Sequence, residues 1–172
     1  MIKAYCMHTS FYLFWIAAVF VLSLLYLLTE KISLKVLKIK KEKVSFENAK
    51  IALERLSTWT TWLTSLQTAA MAAMGLLVKD SAKPLPPLVT KYGFFALLFF
   101  GASIVLSTWL LAAFPSAQLR LNKSDAEDET NDIYRMKIFS FIPFTIGRFS
   151  GIVHTYFLAG MVFFAMFVFS MF

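Results

Sequence analysis

The sequence predicts an all-α, polytopic membrane protein with four transmembrane helices, helix two extending into the cytoplasm. Three observations carry this prediction. Apolar residues fill 59% of 172 positions, charged residues only 16%, and 19 residues are Phe. An ordinary soluble domain is about 45–50% apolar and about 25% charged, so a chain this short has too little interior to hide its apolar surface. Four stretches, about 11–28, 58–78, 93–114 and 151–171, stay apolar for the roughly 20 residues a helix needs to cross about 30 Å of hydrocarbon. The net charge of +7 collects between them, with 13 of 17 Lys and Arg in connectors 29–57 and 115–150. No connector reaches the roughly 40 residues below which a chain rarely folds alone. Residues 1–172 are therefore expected to form a single four-span membrane domain.

The first span runs from Phe11 to Leu28, interrupted only by Ser23. The residues before it carry one charge, Lys3, and Thr29-Glu30-Lys31 after it offers no small-residue cleavage site. The run is also longer than the apolar core of a signal peptide, so it is expected to be retained as a span. A basic segment follows, in which Lys35, Lys38, Lys40, Lys41 and Lys43 are interleaved with Leu, Ile and Val. It either lies on anionic lipid, at about 1 kcal/mol per Lys near the surface, or acts only as an orientation signal. No nucleic-acid-binding module accompanies it, so no nucleic-acid partner is expected. Four spans place 29–57 and 115–150 on one side, which the positive-inside rule makes cytoplasmic. Both termini then lie outside, and the compartment read from this layout is a cell membrane, the bacterial inner membrane.

The second helix is expected to begin at Ser45, whose hydroxyl suits an N-cap, with Glu47 favourably placed in the first turn. From there to Val78 the chain contains no Pro and only Gly75. A helix of that length is about 50 Å long, so roughly 15–20 Å should project into the cytoplasm. At 100° per residue, Ser57, Thr60, Thr61, Thr64, Gln67 and Thr68 fall within an arc of about 120°. Such a polar stripe should turn away from lipid. It serves either as a packing face, with hydroxyls bonded to helix carbonyls or neighbours, or as the lining of a polar pore built from several copies. The heptad-spaced series Ala49, Leu53, Leu56, Thr60, Leu63, Gln67, Ala70, Met74 matches a left-handed helix contact.

Span three carries Gly101, Ala102, Ser103, Ser107 and Thr108, a small-residue packing surface, and Pro115 is expected to end it. In the connector beyond, Asp125, Glu127, Asp128, Glu129 and Asp132 cluster. They lack the turn Gly and the terminal bidentate Glu of a calcium loop, so a solvated loop is expected. Residues 138–147 are too short for a span and should lie in the inner interface. Arg148 then snorkels at the membrane boundary. Gly147 and Gly151 form a GxxxG pair that favours close helix contact. His154, about 9 Å deeper than Arg148 along a helix, is an intramembrane imidazole, a residue type suited to proton transfer near neutrality. Its simpler role is a neutral ring bonded to a neighbour.

Several chemistries are absent. His8 and His154 are the two His and Cys6 the single Cys, too few for a zinc set, and with His8 near the N-terminus the two His are poorly placed for a bis-His haem. There is no phosphate-cradling Gly loop, no Ser-His-Asp set and no Asp or Glu inside a span, so no catalytic residue, metal or cofactor is expected. The functional expectation is a homo-oligomer in the lipid bilayer whose second helix lines a polar pore or regulated conductance. The alternative is a non-catalytic anchor or sensor subunit that docks a cytoplasmic partner through 45–57 and 115–150, in signalling, defence or a respiratory assembly.

Overall fold

The computed structural model describes residues 14–22, 25, 43–81, 84–123, 128–139 and 142–172. The chain divides into two units, Met1–Lys40 and Lys41–Phe172. In the first, residues 14–22 form helix α1, on which the rings of Phe14 and Trp15 meet edge to face at 5.7 Å. The remaining residues of the expected first span, apart from Leu25, lie outside the described residues, as do Lys35, Lys38, Lys40 and Lys41; Lys43 is exposed.

The second unit holds α2 (Phe46–Asp80), α3 (Pro87–Leu119), the single 3-10 turns Glu129–Asn131 and Ile133–Arg135, strands β1 (Lys137–Phe139) and β2 (Ile142–Thr145), and α4 (Ile146–Phe169). The protein is mostly helical, and α2, α3 and α4 are each long and apolar enough to cross a membrane. One part of the all-α expectation is corrected. The stretch after Met136 forms a two-stranded antiparallel hairpin, with Lys137 opposite Thr145, Phe139 opposite Ile142, and an irregularity between. The cause is local. Phe, Ile and Thr favour extended backbone, and Pro143 is tolerated on an edge strand but not inside a short helix.

Helix α2 starts where its cap dictates. Ser45 is extended (φ −68°, ψ 153°) and its hydroxyl accepts from Asn48 N–H, with Glu47 in the first turn. Its 35 residues span about 52 Å. Helix α3 opens with Pro87 at its first position, where the missing N–H costs nothing. It does not end at Pro115 but continues to Leu119. Tertiary contacts outweigh the lost N–H there. Ala113, Ala117 and Leu121 are buried. Arg120 clamps the last turn, its Nε donating to Ser116 O at 3.0 Å and its Nη2 to Lys137 O at 2.8 Å and Ile138 O at 3.1 Å. Helix α4 begins at Ile146, ahead of the expected Gly151, because Thr145 caps it through Arg148 N–H.

The short link after α2 makes α2 and α3 antiparallel neighbours. Helix α4 packs chiefly on α3 and only lightly on α2. The α3–α4 seam is a glycine-and-phenylalanine contact. A Cβ at Gly160 would come within 2.5 Å of the Phe100 ring, and one at Gly93 within 3.2 Å of Phe167. Phe99 stacks on Phe163 with centroids 5.7 Å apart and planes 5° apart. On α2 the buried residues are Ala49, Leu53, Leu56, Thr60, Leu63, Gln67 and Met74, with Ala70 half-buried. The heptad series is thus the seam that α2 turns into the bundle.

Beyond the helix ends, a small head closes around Asn131. Its side chain is fully buried. Its Oδ1 accepts from Asn122 N–H at 2.8 Å, while its Nδ2 donates to Val44 O at 3.1 Å and Asn122 O at 3.2 Å. Val44 and Asp128 add a backbone bridge beside it. Two of the described acidic residues are structural. Asp128 caps Thr130 N–H at 2.8 Å and Asp132 pairs with Arg135 at 3.5 Å. Asp125 and Glu127 lie outside the described residues.

Two glycine substitutions separate packing from propensity. Gly160→Ala should lower stability by about 1–3 kcal/mol, because the new methyl overlaps the Phe100 ring. Gly101→Ala meets nothing within 4 Å and should be neutral or stabilising by up to about 1 kcal/mol. Thermal unfolding in detergent, followed by intrinsic fluorescence, reads both.

Candidate functional site

The polar stripe of α2 divides between two faces. Thr60 and Gln67 are buried, Ser57 and Thr64 half-buried, and Thr61 and Thr68 exposed. Four of the hydroxyls donate one turn back along the same helix: Thr60 to Leu56 O at 2.7 Å, Thr61 to Ser57 O at 3.0 Å, Thr64 to Thr60 O at 2.9 Å, and Thr68 to Thr64 O at 2.9 Å. These bonds hide the hydroxyl hydrogens from an apolar surrounding without any partner helix. Gln67 is too long for that. Its Nε2 donates to Ser103 Oγ of α3 at 2.6 Å, and Ser103 Oγ donates in turn to Val153 O of α4 at 3.0 Å.

Gln67, Ser103 and Val153 are all essentially unexposed, so a single line of hydrogen bonds crosses the middle of the three-helix bundle. Two buried atoms near this line, Gln67 Oε1 and Ser107 Oγ, make no hydrogen bond. Each carries a desolvation cost of about 1–3 kcal/mol. Ser103, expected only as a small packing residue, is the hub. The signal that could have found it was a buried Gln facing a serine-bearing helix.

A second polar centre lies nearer the head. His154, half-buried on α4, accepts at Nε2 from the indole Nε1–H of Trp59, while its Nδ1 lies 2.6 Å from Ser150 O. An indole only donates and a carbonyl only accepts, so the two partners select the neutral Nδ1–H tautomer. The rings also stack, with Trp59 and His154 centroids 6.0 Å apart and Trp59 and Trp62 4.9 Å apart. The Trp59 indole is 45% exposed, yet its polar edge is held by α4.

Trp59 and His154 form one wall of a groove of about 720 Å³ between α2, the Ile133–Arg135 turn and α4, with Asn48, Arg55 and Tyr134 also lining it. Arg148, the other intramembrane polar candidate, is half-buried and sits two turns from His154 toward the head. The Gly147–Gly151 pair does not act as a two-helix contact at its first member. A Cβ at Gly147 would come within 2.8 Å of the Tyr134 carbonyl oxygen, so Gly147 makes room for the head. Gly151 is half-buried. Among the described residues no three His, Cys, Asp or Glu side chains gather where a metal ion could be held.

No family model, curated protein or solved structure matches this chain. The functional reading therefore rests on the geometry.

Ser103→Ala removes two interhelical bonds, each worth about 0.6 kcal/mol in a membrane, and strands the Gln67 amide. A loss of about 1–3 kcal/mol is expected. Ser107→Ala removes an unpartnered hydroxyl and should be near neutral. Thermal unfolding of the two variants compares them directly. For the second centre, His154→Phe keeps a ring against Trp59 but removes its acceptor. The Trp59 indole N–H resonance should then move upfield in a nitrogen–proton NMR spectrum, while that of Trp109, stacked on Phe149, stays in place.

Proposed function

We propose that this protein is a non-catalytic integral membrane subunit, an anchor or sensor, whose cytoplasmic head docks a protein partner. One observation carries the reading. The deepest members of the α2 stripe, Thr60 and Gln67, turn into their own bundle, so their polarity supports cohesion of one protomer. What α2 offers beyond the membrane is a helical projection. Arg55 and Lys79 lie 24 residues apart, or about 36 Å along the helix, which brackets a bilayer core. The turns from Phe46 to Glu54 then extend about 13 Å into the cytoplasm. There Glu47, Asn48 and Glu54 are exposed beside the head that Asn131 and Arg120 stiffen.

In this proposal the 11–28 stretch supplies a fourth span, connectors 29–57 and 115–150 are cytoplasmic, and both termini lie outside, in a membrane of the bacterial inner type. The basic connectors support that orientation.

A second reading keeps the pore, and one observation favours it. Thr58, Thr61, Ser65 and Thr68 are exposed along the outer face of α2, a hydroxyl row at three- and four-residue spacing. In an oligomer, that row rather than Gln67 would face the axis.

One measurement tests the orientation and two decide between the readings. A reporter fused after Phe172 should be active outside the cytoplasm. The protein in lipid discs should be monomeric by mass photometry, and liposome ion flux should stay at background in the wild type and in a Thr61→Leu/Thr68→Leu double variant. A defined oligomer whose flux falls in the double variant would replace the anchor with the pore.

A further inference from the structure

The groove beside Trp59 has the chemistry of a headgroup site. Arg55 lines it from α2, is exposed, and its guanidinium makes no hydrogen bond or ion pair among the described residues. Asn48, two helical turns before it, and Tyr134 across the groove each carry a side-chain donor. No carboxylate among the described residues lines this groove; Glu54 lies in an adjoining depression that Arg55 also lines. His154 contributes shape rather than a donor, since both its ring nitrogens are engaged.

Height decides the ligand. Arg55 stands about 36 Å from Lys79 along α2, and Arg148 about 32 Å from Phe169 along α4. Two helices thus put the groove mouth at one boundary of the hydrocarbon layer, where lipid phosphates reside. Below it Trp59, Trp62 and Leu66 are exposed on α2 at 45%, 50% and 38%. They form a continuous apolar track that an acyl chain can follow from the groove into the bilayer.

We propose that this groove binds an anionic phospholipid, with the Arg55 guanidinium on the headgroup phosphate, Asn48 and Tyr134 donating to its oxygens, and one acyl chain along Trp59, Trp62 and Leu66. A guanidinium presents paired donors that match a phosphate, and an unpaired one at a lipid boundary favours an anion over a neutral headgroup. The inference rests on the membrane placement of α2 and α4 and not on the anchor or pore reading. The Phe172 reporter tests orientation separately.

The experiment uses the full chain in zwitterionic micelles, titrated with short-chain phosphatidylglycerol and read by tryptophan emission. A saturable change is expected in the wild type and should be smaller in Trp59→Phe, where Trp62 is the remaining indole on the track. Arg55→Gln should weaken the apparent affinity about tenfold, and Arg55→Lys, which keeps charge but not the fork, by an intermediate amount. Lys79→Gln, at the other end of α2, should bind as the wild type does. Arg55 is exposed, so both Arg55 variants should unfold at the wild-type temperature, which the same emission verifies. Phosphatidylcholine giving an equal saturable change would overturn the proposal, as would Arg55→Gln titrating like the wild type. Full competition by millimolar inorganic phosphate would overturn the lipid assignment by showing a site for a free anion.

Discussion

A carboxamide held within a lipid-spanning bundle needs a partner, because lipid offers none and an unpaired amide in hydrocarbon costs several kcal/mol. Gln67 meets that demand through Ser103, and Ser103 passes it on to the Val153 carbonyl. Apolar side chains alone give membrane helices little reason to choose one rotation over another, since lipid tails are as apolar as Leu. A directional bond from each helix to the next supplies the choice. It sets the rotation of α2 so that the heptad seam faces inward, which in turn sends Trp59 and Trp62 to the outer surface. It also sets the depth of α4 against α3, which brings Gly160 opposite Phe100. The unpartnered Gln67 Oε1 and Ser107 Oγ are the cost of seating this polarity in a three-helix core.

The head follows a different logic. Its elements are too short to bury much apolar surface, and backbone groups are fixed by side chains instead. Asn131 ties three chain segments with one amide, and Arg120 ties the end of α3 to β1. Gly147 lets the Ile133–Arg135 turn sit against the start of α4 at a distance no other residue permits. Tyr134 is thereby placed opposite Arg55. The groove is therefore a product of the head's polar staples as much as of the helices that form its floor.

Span-length apolar runs were readable because hydropathy and length are summed properties. The positions of α2, α3 and α4 follow from them within a turn or two, and Ser45 signals its own cap. The ends were less legible for stated reasons. Pro115 argues for a helix end by local chemistry, yet buried Ala113 and Ala117 and the Arg120 clamp carry α3 past it. The hairpin depends on two short segments finding each other, which no period in ten residues announces. The α2 stripe was visible as an arc but not as two faces, because the rotation that separates Thr60 and Gln67 from Thr61 and Thr68 is set by Ser103, on another helix. The Trp59–His154 bond joins positions 95 residues apart, and Asn131 was hidden inside a segment whose charge drew attention to its acidic neighbours.

Helix α2 stands out as the element whose hold on α4 is by direction rather than area. Helix α4 lies against α3 over an extensive phenylalanine seam but touches α2 only lightly. Toward α4, α2 is secured by the Trp59 bond to His154 and, two turns deeper, by the Gln67 relay through Ser103. Bonds of this kind are geometrically strict, so a small rotation or tilt of α2 breaks them outright instead of weakening them by degrees. A ligand or partner that contacts α2 near Arg55 acts on the lever that ends at Trp59. It can shift that equilibrium only by binding one arrangement better than the other, and the groove offers such a difference, since its walls come from α2 on one side and from α4 and the head on the other. Occupancy that requires both walls favours the bonded arrangement. Occupancy by a group that engages Arg55 alone leaves α2 free to move. The same residues that fasten α2 to its bundle are thus the ones through which an event at the membrane boundary would be felt in the bilayer interior.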